Sequence, residues 1–272
     1  MFSLLLTLGA HGFGGSLAGS SIGRAASISR TQLSRAGLRT TTTTTTLTMV
    51  FDALGAALSG DSLPKSKGGL FSAAAGATAL AAGGGKRQLL VESLEFCGLP
   101  LNKLNDGSRG SQEVLTKFNL EMAAKVASAV GATVVVGSSA QLAACKGKKC
   151  LAGEVGKVRG ALCFAAPASA NEWKMIGGIA DADPKRAIVV VNGVRNTMPL
   201  DGSMVAFQYS FYLRRLTYGL LLCAGVGRDW RSFLDYRKGK PEPADNYGTA
   251  MPTIVQVSGD LQGRAGYMKM GG

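Results

Sequence analysis

Between residues 70 and 191 the apolar positions switch repeatedly between two spacings, and each spacing predicts a type of element. Residues 70–82 are rich in alanine and leucine and end at Gly83-Gly84-Gly85, so they predict a helix with a glycine stop. Residues 86–96 carry Leu89, Leu90, Val91 and Leu94 between charged flanks and predict a strand. A turn-rich loop follows at 102–110, and Ser111 is the predicted cap of the next helix, with Glu113 in its first turn. Leu115, Phe118, Met122, Val126 and Ala129 recur at intervals of three and four, which makes one apolar helical face. Glu121 and Lys125 stand four apart on the exposed side and are expected to pair. The run Thr133-Val134-Val135-Val136 is too short for a helix and suits a strand buried on both faces. Residues 140–145 and 170–179 predict helices, and 161–165 and 187–191 predict strands.

Strands alternating with amphipathic helices predict βαβ units, hence a parallel sheet with helices on both faces. After Asn192 the pattern changes. Residues 206–217, 218–223 and 230–236 read as extended segments joined by turns at Gly225, Gly227 and Gly239, an antiparallel C-terminal extension. Residues 252–261 predict a last helix. The expected organisation is a disordered presequence at 1–50, a linker at 51–68, a single α/β domain at 69–262 and a flexible tail at 263–272.

The first 51 residues change the picture of where the protein works. They hold four arginines, no carboxylate, the only histidine (His11) and seven consecutive threonines at 40–46. Arg-rich, hydroxyl-rich and acid-poor is the composition of an organelle transit peptide, so the working protein is expected to start near residue 50 without a histidine. Of the net charge of +13, +9 remains on the rest of the chain, which favours polyanions or an anionic membrane surface as partners. Outside the presequence no run of 18 uninterrupted apolar residues occurs. The five cysteines lack the spacing of a zinc knuckle or a disulfide framework and read as buried thiols.

Few motifs carry chemistry. Gly83-Gly84-Gly85-Lys86-Arg87 fails the phosphate-loop spacing, because Leu80 and Arg87 stand where glycine and a hydroxyl are needed. Gly225-Val226-Gly227 lacks the third glycine of a dinucleotide fingerprint and reads as a hairpin turn. Asn192, just past a buried strand, sits where parallel sheets collect ligands. Ser138 and Pro167 occupy the ends of neighbouring strands, and Arg195 could clamp an anion. Arg214 and Arg215 interleave with Tyr209, Phe211, Tyr212 and Tyr218, as in single-stranded nucleic-acid surfaces. The plainer account is an edge strand with Tyr209, Phe211 and Leu213 on one face and Ser210, Tyr212 and Arg214 on the other. Lys146, Lys148 and Lys149 close a helix and suit its dipole. No serine or cysteine nucleophile has a base, no metal is called for, and no cofactor is implied.

The segment Lys86-Arg87-Gln88-Leu89-Leu90-Val91-Glu92, the valine strand near 134, the Asn192 strand end and the tract 209–215 followed by Trp230-Arg231-Ser232-Phe233-Leu234 are together similar to a plastid and cyanobacterial domain family of unknown function. That family includes a low-photosystem-II-accumulation assembly factor and the C-terminal extension of a plastid adenylate kinase. The resemblance covers roughly residues 70–261. It implies a Rossmann-like α/β fold and a role in photosystem assembly or thylakoid maintenance, and it brings no catalytic residues. Family members carry an aromatic-proline stretch before the tryptophan, whereas Val226-Gly227-Arg228-Asp229 stands here.

The expectation is therefore a non-enzymatic plastid protein of the stroma or the peripheral thylakoid. Its partner is a photosystem or thylakoid protein, or an anionic lipid surface, rather than nucleic acid. The expected contact residues are Arg214, Arg215, Trp230 and Arg231 within a basic C-terminal half that also holds Arg228, Arg237, Lys238 and Lys240. The alternative is a nucleotide- or phosphometabolite-binding stromal enzyme using Ser138, Asn192 and Arg195.

Overall fold

The computed structural model describes residues 63–104, 106–194, 206–235 and 241–270. Four helices begin at serines whose side chains accept a backbone N–H of the first turn. Ser66 caps α1 (Lys67–Gly83), Ser108 caps α2 (Arg109–Val130), Ser138 caps α3 (Ser139–Ala144) and Ser169 caps α4 (Ala170–Ala182). The cap of α2 is thus Ser108, not Ser111: Ser111 is buried and donates its own N–H to the Ser108 hydroxyl. Helix α1 starts two residues inside the stretch read as linker. Glu121 pairs with Lys67 of α1 instead of Lys125, which ties the two helices together.

Nine strands form one sheet: β1 (Gln88–Ser93), β2 (Thr133–Val136), β3 (Lys149–Leu151), β4 (Leu162–Ala165), β5 (Ile188–Val191), β6 (Gln208–Leu216), β7 (Gly219–Cys223), β8 (Arg231–Leu234) and β9 (Glu242–Asn246). Their order is β3-β2-β4-β5-β1-β6-β7-β8-β9. The first six run parallel, and β6 to β9 are an antiparallel meander. The molecule is a mixed α/β protein with a mostly parallel sheet and antiparallel C-terminal strands. Lys149 opens a strand rather than closing a helix, although its ammonium still reaches back to the carbonyl of Cys145 at the end of α3 (2.6 Å). The last helix, α5 (Ile254–Met270), runs through the stretch read as a tail.

Period-two alternation sends successive strand residues to opposite faces. Leu89 and Val91 of β1, with Phe211 and Leu213 of β6, pack under α1 and α2 against Phe71, Phe118 and Met122. Leu90 faces the other way, into a core with Phe164, Val190 and the α4 residues Trp173 and Ile176. Beyond it on that second face, Tyr212, Leu221 and Trp230 pack with Val257 and Leu261 of α5.

Strand β6 lies inside the sheet between β1 and β7, so the edge-strand reading does not hold. Its simple alternation also breaks. A bulge at Ser210 lets Leu90 pair with Tyr209 and Val91 with Phe211. The Ser210 hydroxyl lies within hydrogen-bond reach of the Leu90 carbonyl (3.1 Å) and of Thr78 on α1 (2.9 Å). Ser210 therefore shares the α1 face with Phe211, while Tyr209 and Tyr212 meet on the opposite face, ring centroids 5.0 Å apart.

Candidate functional site

Open parallel sheets hold ligands outside the carboxyl ends of their strands, where neighbouring strands send the chain in opposite directions. Here β2 leads outward to β3 and β4 leads back to β5, so that point lies between β2 and β4. Ser138 stands there, its hydroxyl accepting the Gln141 N–H (3.3 Å). Opposite it, the N–H groups of Ala168 and Ser169 and the Ser169 hydroxyl all donate to Glu172 Oε2 at 2.9 Å. The Glu172 N–H donates in return to Ser169 Oγ (3.2 Å), completing a capping box. A Cβ added to Gly137 would meet Glu172 Oε1 at 3.4 Å, so this carboxylate also fills the gap between the two strand ends. The chain supplies its own anion where a helix N-terminus would receive a phosphate.

Partial burial works against the Glu172 charge, but the donors from Ala168 and Ser169 prevail and hold its pKa below the usual value of 4.5. A carboxyl with a lowered folded pKa adds stability above its unfolded pKa, and that stability is lost as pH falls through the folded value. Glu172→Gln is therefore expected to cost about 1 kcal/mol at neutral pH. The difference from the unaltered chain should shrink below roughly pH 4.5, as read by urea midpoints across a pH series.

Asn192 follows β5 in the left-handed region, φ 50°. Its side chain is buried and acts as one more rung of the β5–β1 ladder. Oδ1 accepts the Ser93 N–H (2.7 Å), and Nδ2 donates to the Ser93 carbonyl (2.8 Å) and to Asn119 Oδ1 on α2 (2.8 Å). Gly193 runs against the buried Trp173 ring: a Cβ there would lie 2.4 Å from it. The Trp173 indole N–H donates to the Val194 carbonyl (3.1 Å). Between Trp173, Gly193, Glu92 and Tyr209 a space of about 10 Å³ remains, at the lower limit for one water. A larger open hollow of about 740 Å³ lies on the outer side of α2, lined in part by Lys117, Glu121 and Lys146.

The C-terminal candidates are drawn into structural contacts. Trp230 is buried, its ring 5.6 Å from Tyr209 and 5.1 Å from Tyr212. Tyr209 donates its hydroxyl to Glu92 (2.8 Å). Burial opposes the charge of Arg214, but Tyr212, Glu92 and Tyr209 outweigh it and raise its pKa. Arg215 forms ion pairs with Glu95 (3.2 Å) and Asp235, which also outweigh partial burial. Arg231 lies half-buried on β8, paired in register with Leu222 and Asn246. Arg195, Arg237, Lys238 and Lys240 lie outside the described residues. The structure thus gathers Arg214 and Trp230 around Tyr212 and leaves Ser138 and Asn192 at separate strand ends.

Comparison with protein-family models, curated proteins and solved structures found no match to this chain. Among the described residues no group of three or more histidine, cysteine, aspartate or glutamate side chains is placed to hold a metal ion, and no helix is long and apolar enough to cross a membrane. All five cysteines are free and buried. Burial pushes Cys223 up to about 11, and burial together with neighbouring Cys145 pushes Cys163 further still.

The sequence reading missed Glu172, Glu92 and Trp173. The spacing Ser169-x-x-Glu172 is a capping-box signature and was legible. The pairing of Glu92 with Tyr209 joins residues 117 apart and left no local trace.

Proposed function

We propose that this chain is a plastid auxiliary protein with a Rossmann-like domain, acting in photosystem assembly or thylakoid maintenance by binding a protein partner or an anionic membrane surface. One observation carries the binding half of this reading: among the described residues, the groups at the carboxyl edge are spent on each other. Glu172 satisfies the start of α4, Asn192 satisfies Ser93, and Trp173 closes on Gly193. Where the described side chains of the ligand edge are held by one another, the outer surface is what they leave for partners. The plastid half rests on the acid-free leader and on the resemblance of the 86–92, 209–215 and 230–234 segments.

The test is recovery of partners from isolated plastids with the tagged chain. Photosystem or thylakoid subunits in the eluate, absent from a control bait of equal charge, are the expected result; an eluate with neither those proteins nor thylakoid lipid overturns the proposal. The enzyme alternative predicts saturable stabilisation by nucleotides or sugar phosphates in a thermal-shift screen. With Glu172 already in the anion position, no shift at millimolar ligand is expected.

A further inference from the structure

Among the described residues a basic surface lies at the amino-terminal edge of the sheet, built from residues outside the C-terminal half that the sequence favoured for partner contact. Four of the parallel strands are entered through cations: Lys86 and Arg87 before β1, Lys148 and Lys149 at β3, Lys157 and Arg159 before β4, and Lys185 and Arg186 before β5. Register puts these entries at one level. Gln88 pairs with Ile188, Ile188 with Leu162, Leu162 with Thr133, and Val134 with Lys149. The cations therefore form a row along the amino-terminal edge, across the strands β3-β2-β4-β5-β1. The carboxylates on the segments entering those four strands are Asp181 and Asp183, before β5, and Glu154, which sits at the far end of its segment and accepts the Leu151 N–H at the close of β3 (3.3 Å).

Some of these cations serve the fold. Arg186 donates to the carbonyls of Gly160 (2.7 Å) and Val158, Arg87 to that of Ala82 (3.3 Å), and Lys149 to that of Cys145. Lys86, Lys148, Lys157, Arg159 and Lys185 are exposed, and among the described residues they have neither an ion pair nor a side-chain hydrogen bond. By contrast, Arg215 at the other edge is neutralised by two carboxylates.

We infer that this amino-terminal edge docks on an anionic lipid bilayer, its row of cations lying against the headgroups. The inference rests on the surface-binding reading above and assigns it a different face. A level row suits a planar target. The exposed aromatics Phe96 and Tyr218 follow β1 and β6 at the opposite edge, so no described aromatic at this edge offers a base a stacking platform. Leu80, 42% exposed on the last turn of α1, is an apolar side chain at the same edge that can enter the interface.

Each cation near an anionic surface contributes about fivefold in partitioning. The full chain is tested by co-sedimentation with phosphatidylglycerol–phosphatidylcholine vesicles at low salt. It is compared with a variant carrying Lys86→Gln, Lys148→Gln, Arg159→Gln and Lys185→Gln, and with a charge-matched control carrying Lys65→Gln, Lys103→Gln, Lys117→Gln and Lys174→Gln. All three share the same leader, so the difference between the variants isolates the edge. The edge variant should lose roughly a hundredfold or more and the control less than about tenfold. Equal losses, or no vesicle binding by the unaltered chain, overturn the inference, as does retention of RNA without retention of vesicles. If vesicles fail while thylakoid proteins are recovered from plastids, this inference falls and the auxiliary-protein reading stands.

Discussion

Gly219→Ala is expected to destabilise the protein by about 4 kcal/mol or more, beyond the usual range for overpacking. A Cβ at this position would lie 2.0 Å from the backbone oxygen of Phe233 and 3.2 Å from Leu261 Cδ1. Overpacking against a side chain is relieved by a rotamer change, but a backbone oxygen inside a ladder has nowhere to go. Gly219 pairs with Leu234 at the start of β7, and its neighbour Leu220 pairs with Phe233. Relief therefore means parting β7 from β8, which uncovers the core that Leu221, Trp230 and Leu234 share with Val257 and Leu261. Gly178 provides the contrast: it lies mid-helix in α4, is exposed, and a Cβ added there would meet nothing within 4 Å. Gly178→Ala should gain about 0.5–1 kcal/mol, because alanine loses less backbone entropy in a helix. Urea midpoints of the two variants, measured side by side, check both signs. A Gly219→Ala midpoint within error of the unaltered chain would mean that β7 and β8 do not approach this closely.

The parts of this fold that local chemistry dictates could be read from the chain. The spacing of Leu115, Phe118, Met122 and Val126 gives α2 its buried face, although Ala129, the last position of that pattern, is exposed; the valine runs at 134–136 and 189–191 give central strands because only a two-sided core accepts them. Features decided by distant partners could not be read. Strand β3 is three residues long, opens on a lysine and exists because β2 offers it a ladder. The faces of β6 depend on a bulge set by Leu90 and Thr78, both more than a hundred residues away, so strict alternation misplaced Tyr209 and Ser210. Arg215 looked like a free cation beside aromatics, and its neutralising partners come from the ends of β1 and β8. The cation row was visible residue by residue but not as a row, because strand order and register align it.

Asn192 separates a ligand site from a structural clip most sharply. If it were a binding residue, Asn192→Ala would leave a stable protein that had lost a ligand. The geometry predicts the reverse: a loss of about 3–5 kcal/mol with no ligand present. Removing the amide leaves the Ser93 N–H and carbonyl without their side-chain partners at a buried position, each costing about 1–3 kcal/mol. It also frees Asn119 on α2 and puts alanine at φ 50°, a conformation asparagine tolerates better. Asn192→Gly removes that strain but leaves the same orphaned groups, so it should recover only about 1 kcal/mol of the loss. Asn192→Asp keeps an acceptor for the Ser93 N–H but turns a second oxygen toward the Ser93 carbonyl and Asn119 Oδ1. Its penalty should ease as pH falls and the carboxyl takes up the proton that restores one donor. Denaturant midpoints of the three variants, with the aspartate followed from neutral to acid pH, give this ordering directly. Three variants as stable as the unaltered chain would return Asn192 to the list of ligand residues.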